Sequence, residues 1–346
     1  MLYKECLLVI CAFAVVIVNP QGLQTCVCQA PNTCYQPLAT DGTGLIDIRI
    51  VNSGTGVTSA PPGTTVTPPG IVTCTGGLQN CCTGAGVTGC GLRWNIPPTP
   101  ITTPGPGQAR YGSQPWQAVI LGTDNTYLGG GVLLDSLHVL TAAHKIANRT
   151  AGTFKVRMGE WDSNRNIEPY PTQEAIVTQI RIHPSYTPSN LLNDVAVLRL
   201  ATAIQLGAPN FPAINTGCLP VATTVFDNMR CLVSGWGKDA FTGTFQSIIK
   251  EVEVPVLTNA DCQTRLRRTR LGASYVLNTN SFICAGGEAG RDACVGDGGS
   301  ALACSIGGKY QVVGLVAWGI GCADATIPGV YVRVQSFIPW IQQNLV

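Results

Sequence analysis

Cys294-Val-Gly-Asp-Gly-Gly-Ser-Ala-Leu-Ala-Cys304 is the stretch on which the interpretation of this 346-residue chain depends. It is short, rich in glycine and closed by a cysteine at each end. Its one acid is Asp297, which Gly298 follows, and its one hydroxyl belongs to Ser300. Nucleophilic catalysis needs a hydroxyl, thiol or comparable group, which glycine lacks. Any catalytic role for this stretch therefore depends on Ser300.

Two motifs upstream give the stretch a context. Leu140-Thr-Ala-Ala-His144 comes first, and Asn193-Asp194-Val-Ala-Val-Leu follows it. With the glycine-rich stretch, they resemble the histidine, aspartate and nucleophile motifs of chymotrypsin-like serine proteases, in the order of that family. The family's loop reads Gly-Asp-Ser-Gly-Gly-Pro, so Gly298 replaces the serine. The resemblance covers residues 111–346 and implies a vestigial triad of His144, Asp194 and Gly298.

Ser300 stands where the family has proline. The oxyanion hole is built from backbone N–H groups of the nucleophile and of a glycine two residues before it. At roughly 3.3 Å per extended residue, moving the hydroxyl by two residues takes it beyond hydrogen-bond reach of those donors and of His144. We therefore predict a pseudoprotease and no enzyme. An active trypsin-like serine endopeptidase that uses Ser300 is the alternative.

The resemblance implies that the substrate pocket persists. Asp292 lies six residues before Gly298, where trypsin-like enzymes place the acid that binds Arg or Lys. Gly319 and Gly329 would form the pocket walls, and Ala317 replaces the usual serine. The pocket then binds a cationic side chain without cutting, or it is inherited without use.

Two further family features are missing. The stretch 109–116 contains no Ile-Val-Gly-Gly sequence, whose new N-terminus pairs in the family with the acid at position 297. The disulfide beside the catalytic histidine is also absent, because Lys145 follows His144 and glycines occupy 129–131. These losses agree with a fold that is used for binding.

Short apolar runs separated by turn signals recur from Tyr111 onward, a pattern typical of an all-β barrel or sandwich. The apolar spacing within 334–345 predicts a C-terminal helix. The family resemblance makes the fold specific: a chymotrypsin-like double six-stranded β-barrel with a C-terminal helix, preceded by a small disulfide-rich domain. Ten predicted strands are 116–121, 130–134, 138–143, 154–158, 175–182, 194–200, 231–236, 248–256, 310–317 and 329–334.

Composition and the first residues indicate an extracellular protein. The net charge is +2, which gives no reason to expect nucleic acid as a partner. Residues 1–22 read as a signal peptide, since Leu7–Val18 is an apolar run too short to span a bilayer and Lys4 precedes it. No second run of spanning length follows. We predict a secreted, extracellular protein without a membrane span; the arthropod resemblance given below implies that the fluid is hemolymph-like.

The cysteines support an oxidising compartment. Of 16 cysteines, Cys6 and Cys11 lie in the predicted signal peptide, which leaves 14 for disulfides. Seven lie at or before Cys90 and seven after it. If all are paired, an odd number of bridges crosses between the two halves, which are then covalently joined.

Residues 23–90 are cysteine-rich and too small to hold a good core alone. Six cysteines ending in the pair Cys81-Cys82 resemble a clip domain, the small unit that precedes many arthropod serine proteases. A Pro- and Gly-rich linker, 91–110, follows. The two resemblances together imply seven bridges: Cys26–Cys81, Cys28–Cys74, Cys34–Cys82, Cys90–Cys218, Cys231–Cys304, Cys262–Cys284 and Cys294–Cys322.

Two modification or ligand sites are also predicted. Asn148-Arg-Thr150 is an N-glycosylation acceptor sequence in a loop beside His144. The loop from Glu160 to Glu174 resembles the calcium loop of the family, in which carboxylates and backbone carbonyls hold a hard cation. Solvated surface acids are the alternative reading of these two residues. No cofactor is expected for catalysis.

A clip module in front of a protease-like domain that lacks its serine resembles arthropod clip-domain serine protease homologs. That resemblance implies a non-catalytic cofactor or regulator of an extracellular protease cascade, namely prophenoloxidase activation in melanisation and innate immunity. The implied partners are an active clip-domain serine protease, prophenoloxidase and, after cleavage, further copies of the chain. A pattern-recognition or adhesion module is a further alternative.

Overall fold

The computed structural model describes the backbone of residues 15–19, 22–29 and 79–84, and residues 89–346 apart from 94, 95, 97, 98, 100, 101, 208, 209 and 241. The chain forms two compact units, residues 1–88 and 89–346. The boundaries assigned from the sequence to the signal peptide, clip domain and linker stay predictions.

The first unit contains a three-stranded antiparallel sheet in the order β1-β2-β3. Its strands are β1 Val15–Asn19, β2 Gly22–Gln29 and β3 Gln79–Gly84. The register places Cys26 opposite Cys82. The predicted bridges of this unit, and its cysteines Cys34 and Cys74, lie outside the residues whose side chains are described.

The second unit is built from two closed six-stranded antiparallel barrels. The first has the strand order β4-β5-β6-β9-β8-β7 and the second β10-β11-β12-β15-β14-β13. The first barrel consists of β4 Gln117–Gly122, β5 Tyr127–Asp135, β6 His138–Thr141, β7 Phe154–Met158, β8 Gln173–Ile182 and β9 Ala196–Leu200. The second consists of β10 Arg230–Gly235, β11 Lys250–Leu257, β12 Phe282–Gly286, β13 Ala301–Ile306, β14 Lys309–Trp318 and β15 Pro328–Arg333. The predicted double-barrel fold is confirmed.

Side-chain alternation explains how the strands close around a core. In β7, Phe154, Val156 and Met158 are buried while the residues between them are partly exposed. A separate apolar cluster joins the two barrels, with Trp116 and Val197 from the first and Leu315 from the second. Burial of this cluster fixes one barrel against the other, so loops from both meet at a defined cleft.

Three helices lie among the described residues: α1 Ala143–Ile146, α2 Asn259–Arg267 and α3 Ile338–Gln343. The Thr258 side chain caps α2 by accepting from the backbone N–H of Asp261 at 3.2 Å. The predicted C-terminal helix is present, and it begins as a 3₁₀ turn at Val334–Phe337 before Pro339 starts the α-helical part. No described helix is long and apolar enough to cross a membrane.

Four disulfides join described residues of the second unit: Cys90–Cys218, Cys231–Cys304, Cys262–Cys284 and Cys294–Cys322. These are the pairs that the resemblance implies. The first spans 128 residues and fastens the start of the unit to its barrels. Gly91 beside it donates to Thr216 O at 2.7 Å and has φ +73°, where a Cβ would overlap the backbone of Tyr310.

Parts of the segment predicted as a linker pack against the second barrel. The guanidinium of Arg93 is buried and lies 4.0 Å from the ring centroid of Tyr310. Further along, Ala109 N donates to Ile249 O at 2.9 Å, and Glu251 N donates to Gly107 O at 3.1 Å. The chain that enters the first barrel is therefore held along β11.

Candidate functional site

The structure assembles the histidine and aspartate of the predicted triad. His144 lies on α1, and Asp194, which is fully buried, lies just before β9. The Asp194 carboxylate accepts from the His144 backbone N–H at 2.7 Å and from Nδ1 at 2.6 Å. Because a carboxylate oxygen only accepts, Nδ1 carries the hydrogen and Nε2 is left for the cleft. This is the orientation that a general base requires.

Gly298 occupies the position from which a nucleophile would face this histidine. A Cβ placed on Gly298 would lie 2.9 Å from Nε2 of His144. The backbone at Gly298 is outside the left-handed region, in contrast to Gly296 and Gly299 with φ of +109° and +85°. A residue with a side chain could adopt this backbone, so the glycine is not explained by backbone conformation.

Ser300 does not replace the missing nucleophile. It is fully buried, and its Oγ accepts from Nε2 of Gln117 at 3.0 Å. It packs against Gly130 of β5, where an added Cβ would overlap its hydroxyl. The side chain thus points into the contact between the barrels and away from His144, and the alternative of a peptidase that uses Ser300 finds no support.

Lys145 lies where the histidine-loop disulfide is missing. A Cβ on Gly298 would lie 2.9 Å from Cδ of Lys145, so the lysine side chain passes over the glycine. Burial lowers the pKa of Lys145, and the charges of Asp297 and Asp194 act in the opposite direction. Its ammonium has no hydrogen bond or ion pair among the described residues. The sequence showed the loss of a cysteine here, but it did not predict a cation in the cleft.

The glycine-rich loop is held in place without an inserted N-terminus. The carboxyl of Asp297 is buried and accepts from the backbone N–H of Gly237 at 2.8 Å and of Cys294 at 2.9 Å. Burial raises the pKa of Asp297 to about 6 despite these hydrogen bonds. From the first barrel, the Tyr127 hydroxyl donates to Gly296 O at 2.9 Å. Two backbone donors therefore bind this carboxyl in place of the ammonium group of the new N-terminus that the family uses.

The predicted substrate pocket is a cavity of about 340 Å³ that also contains His144 and Lys145 in its wall. Asp292, Gly319 and Gly329 all line it. A Cβ on Gly329 would lie 3.0 Å from Oδ1 of Asp292, so a side chain at this position would crowd the carboxyl.

Two oxygen atoms of residues that line the cavity have no hydrogen-bond partner among the described residues. They are Oδ1 of Asp292 and the hydroxyl of Tyr331, and both are buried. Oδ2 of Asp292 accepts from Ala323 N at 3.0 Å, and burial raises the pKa of Asp292 to about 6. A buried acceptor without a donor is costly, and a cationic donor that enters the cavity would satisfy it.

The predicted calcium loop has an arginine at its centre. Arg157 of β7 lies between the two carboxylates, 2.9 Å from Glu160 and 2.6 Å from Glu174, and Lys155 contacts Glu174 at 2.7 Å. Burial raises the pKa of Glu160 to about 7, with a contribution from nearby Glu168. In the described part of the chain, no three His, Cys, Asp or Glu side chains converge on a possible metal position. This arrangement does not fit an ion held by Glu160 and Glu174 unless Arg157 moves, and calcium binding stays a prediction.

Asn148 is exposed, and so is Thr150 of its acceptor sequence. The asparagine follows α1, the helix that carries His144. The structure therefore leaves the side chain accessible to a glycosyltransferase, and the glycan stays a prediction.

Comparisons with known proteins agree with this geometry. The family described as Trypsin matches residues 105–341. The chain is 52% identical over 326 residues to the Aedes aegypti protein "Inactive CLIP domain-containing serine protease A3", across 93% of this chain and 67% of the relative. It is 44% identical over 257 residues to "Phenoloxidase-activating factor 2" of Galleria mellonella, across 69% of this chain and 82% of the relative.

A third relative, "Inactive CLIP domain-containing serine protease A8" of Anopheles gambiae, is 39% identical over 246 residues, which cover 68% of this chain and 66% of the relative. Two of these three relatives are named as inactive, in agreement with a cleft whose histidine and aspartate face a glycine. The chain therefore belongs to the trypsin family and is a non-catalytic clip-domain serine protease homolog.

Proposed function

We propose that this protein is a secreted binding cofactor in an extracellular protease cascade and that it promotes the activation of prophenoloxidase. The observation that carries the proposal is a protease cleft that is intact around a missing nucleophile. His144 and Asp194 are hydrogen-bonded, Asp292 lines a cavity beside them, and the attacking group at position 298 is absent. Such a domain retains surfaces that recognise protease substrates and partners but cannot cut them.

The choice of prophenoloxidase activation rests on the names of the relatives. The Galleria mellonella protein that is 44% identical over 257 residues is named as a phenoloxidase-activating factor. Secretion is supported by the four disulfides of the second unit, since such bridges persist in oxidising compartments. The partners that we propose are an active clip-domain serine protease, prophenoloxidase and further copies of the chain after cleavage.

A reconstitution assay tests the cofactor role. Prophenoloxidase and an active clip-domain protease are incubated with and without the purified full-length chain, and phenoloxidase activity is measured. The expected result is a higher phenoloxidase output with the chain present, and the same increase after the chain has been treated with a fluorophosphonate. Equal output with and without the chain would contradict the cofactor role, and loss of the increase after treatment would show that a serine hydrolase is responsible.

A further inference from the structure

The cleft combines two opposite charges in one cavity. Asp292 lines it and has a buried oxygen without a partner among the described residues. Lys145 lies in the wall of the same cavity beside His144. A ligand that satisfies both needs a cationic group at one end and an anionic group at the other.

Lys145 is a suitable partner for an anion. Its side chain is partly buried, and no described residue forms a hydrogen bond or ion pair with its ammonium. Asp297 and Asp194 act on this cation only at a distance, so its donors remain available, and an anion beside it would be stabilised more than at a fully exposed lysine. The lysine can lie there because Gly298 has no side chain, since a Cβ would come within 2.9 Å of Lys145 Cδ.

Two backbone donors lie on the same loop. The N–H groups of Gly296 and Gly298 donate to no acceptor in the described part of the chain. Adjacent backbone N–H groups in a glycine-rich turn favour a negatively charged oxygen. An enzyme uses such donors for the transient oxyanion of a reaction intermediate. With no nucleophile at Gly298, a stable carboxylate oxygen can accept from them instead.

The ligand that fits is the C-terminal residue of a peptide cut by a trypsin-like enzyme. Hydrolysis after arginine or lysine leaves a cationic side chain and a free carboxylate on the same residue. An uncut arginine inside a chain offers the side chain but only a neutral amide in place of the carboxylate. The cavity of about 340 Å³ is at the small end of ligand sites, which suits one residue with its terminal group.

We propose that the cleft binds the free C-terminal arginine or lysine of a cleaved peptide, with its side chain toward Asp292 and its carboxylate between Lys145 and the N–H groups of Gly296 and Gly298. The protein is then a receptor for the product of another protease. Binding of this ligand is a property beyond the cofactor role, because it depends on the charges in the cleft and on no property of prophenoloxidase.

Two peptides that differ in one group test the proposal. Acetyl-Gly-Ala-Arg with a free carboxylate and the same peptide as its C-terminal amide are titrated into the full-length chain by calorimetry. The free acid should bind at least about tenfold more tightly than the amide, since hydrogen bonds to charged groups contribute about 1.5–3 kcal/mol. Equal affinities of the two peptides, or no binding of either, would overturn the proposal.

Variants assign the effect to residues. Lys145→Gln should reduce the preference for the acid over the amide and leave the affinity for the amide unchanged, whereas Asp292→Asn should weaken both. Lys309→Gln, at an exposed lysine that does not line the cavity, is the matched control and should change neither. An undiminished preference for the acid in Lys145→Gln would contradict the role of the lysine. If Lys145→Gln fails to fold, the wild-type comparison of acid and amide still decides the proposal.

The reconstitution assay separates this inference from the proposed function. A chain that raises phenoloxidase output but does not distinguish the two peptides would retain the cofactor role and lose the receptor role. A chain that prefers the free acid but leaves phenoloxidase output unchanged would show the opposite.

Discussion

The substitution Gly298→Ser tests whether this cleft lacks only its nucleophile. His144 and Asp194 are already hydrogen-bonded, the loop N–H groups of Gly296 and Gly298 have no acceptor among the described residues, and the pocket acid Asp292 is in place. The φ angle at Gly298 is compatible with serine, and a Cβ there would lie 2.9 Å from Nε2 of His144, so the imidazole must shift slightly to admit it. We therefore expect the variant to regain measurable serine reactivity, while the wild-type chain shows none.

The size of the gain depends on Lys145. In a serine protease, loss of the nucleophile costs about 10⁶ in kcat, which sets the upper limit of what a serine can restore. The Cβ of a serine introduced in place of Gly298 would lie 2.9 Å from Lys145 Cδ, whereas relaxed carbon contacts are about 3.5–4.0 Å, so the lysine side chain must move by roughly 0.6 Å or more. Because that side chain is flexible, its displacement should cost about 1 kcal/mol, the low end for overpacking. This corresponds to a roughly fivefold slower reaction.

The assay is the rate of covalent labelling by a fluorophosphonate, supported by hydrolysis of an arginine amide substrate. Gly298→Ser should be labelled slowly, and Gly298→Ser combined with Lys145→Ala should be labelled roughly five times faster. Lys155→Ala combined with Gly298→Ser is the matched control, because Lys155 pairs with Glu174 outside the cleft. Adding His144→Ala should abolish labelling.

Two results would refute the reasoning. If the double variant with Lys145→Ala is not labelled at all, the histidine and the loop are not arranged for catalysis. If it is labelled no faster than Gly298→Ser alone, Lys145 does not obstruct position 298.

Four further predictions follow from the buried polar groups. Ser300→Ala should leave the absence of labelling unchanged and lower the free energy of unfolding in urea by about 1 kcal/mol, because Gln117 Nε2 loses the nearer of its two acceptors, at 3.0 Å, and keeps only Ala118 O at 3.3 Å; unchanged stability would contradict the contact. Burial raises the pKa of Asp292 from 3.8 to about 6, so the folded state binds this proton more tightly than the unfolded state does. The stability that the bound proton contributes is therefore lost as the pH rises from about 4 to above 6. Relative to Asp292→Asn, the wild-type chain should lose about 3 kcal/mol of unfolding free energy over that window, whereas parallel pH profiles would exclude the shift. Benzamidine, a cation, should bind through the ionised carboxylate, and its affinity should fall below about pH 6; affinity that is constant down to about pH 5 would place it elsewhere. Calcium bound by Glu160 must displace Arg157, so Arg157→Gln should show a larger calcium-dependent rise in Tm than the wild-type chain, and the absence of a rise in both would exclude an ion at this loop.

The sequence was most informative for elements that depend on residues close together in the chain. The alternation in Phe154–Met158 predicted β7 with its observed bounds, and nine other predicted runs overlap observed strands. Two strands of the second unit were not predicted. Phe282–Gly286 is buried along its whole length and shows no alternation, and Ala301–Ile306 follows directly on the glycine-rich loop and contains small residues. Both strands contain several small residues, so neither forms the run of large apolar side chains on which the predictions depended.

The contacts that the sequence could not reveal are those between distant segments. Arg93 looks like part of a solvated linker, yet its guanidinium is buried against Tyr310 of β14, far along the chain. The sequence identified Lys145 only as the residue that stands in place of a cysteine, because its position over Gly298 depends on how the two barrels pack. The acid nearest to Arg93, Glu251 at 4.0 Å, likewise comes from a distant part of the chain.

Gly298 and Lys145 are best understood as one change to the cleft. If position 298 carried a side chain, its Cβ would lie only 2.9 Å from Cδ of Lys145, which is closer than a relaxed carbon contact. The glycine therefore allows the lysine side chain to lie where it does. With Lys145 in this place, a serine introduced at position 298 would contact the lysine side chain as well as the histidine that can accept its proton. The cleft has therefore exchanged a group that attacks carbonyl carbon for one that attracts a carboxylate, while Asp292 still selects a cationic side chain. A site altered in this way favours the product of proteolysis over its substrate, which is a physical reason for the rest of the cleft to be preserved.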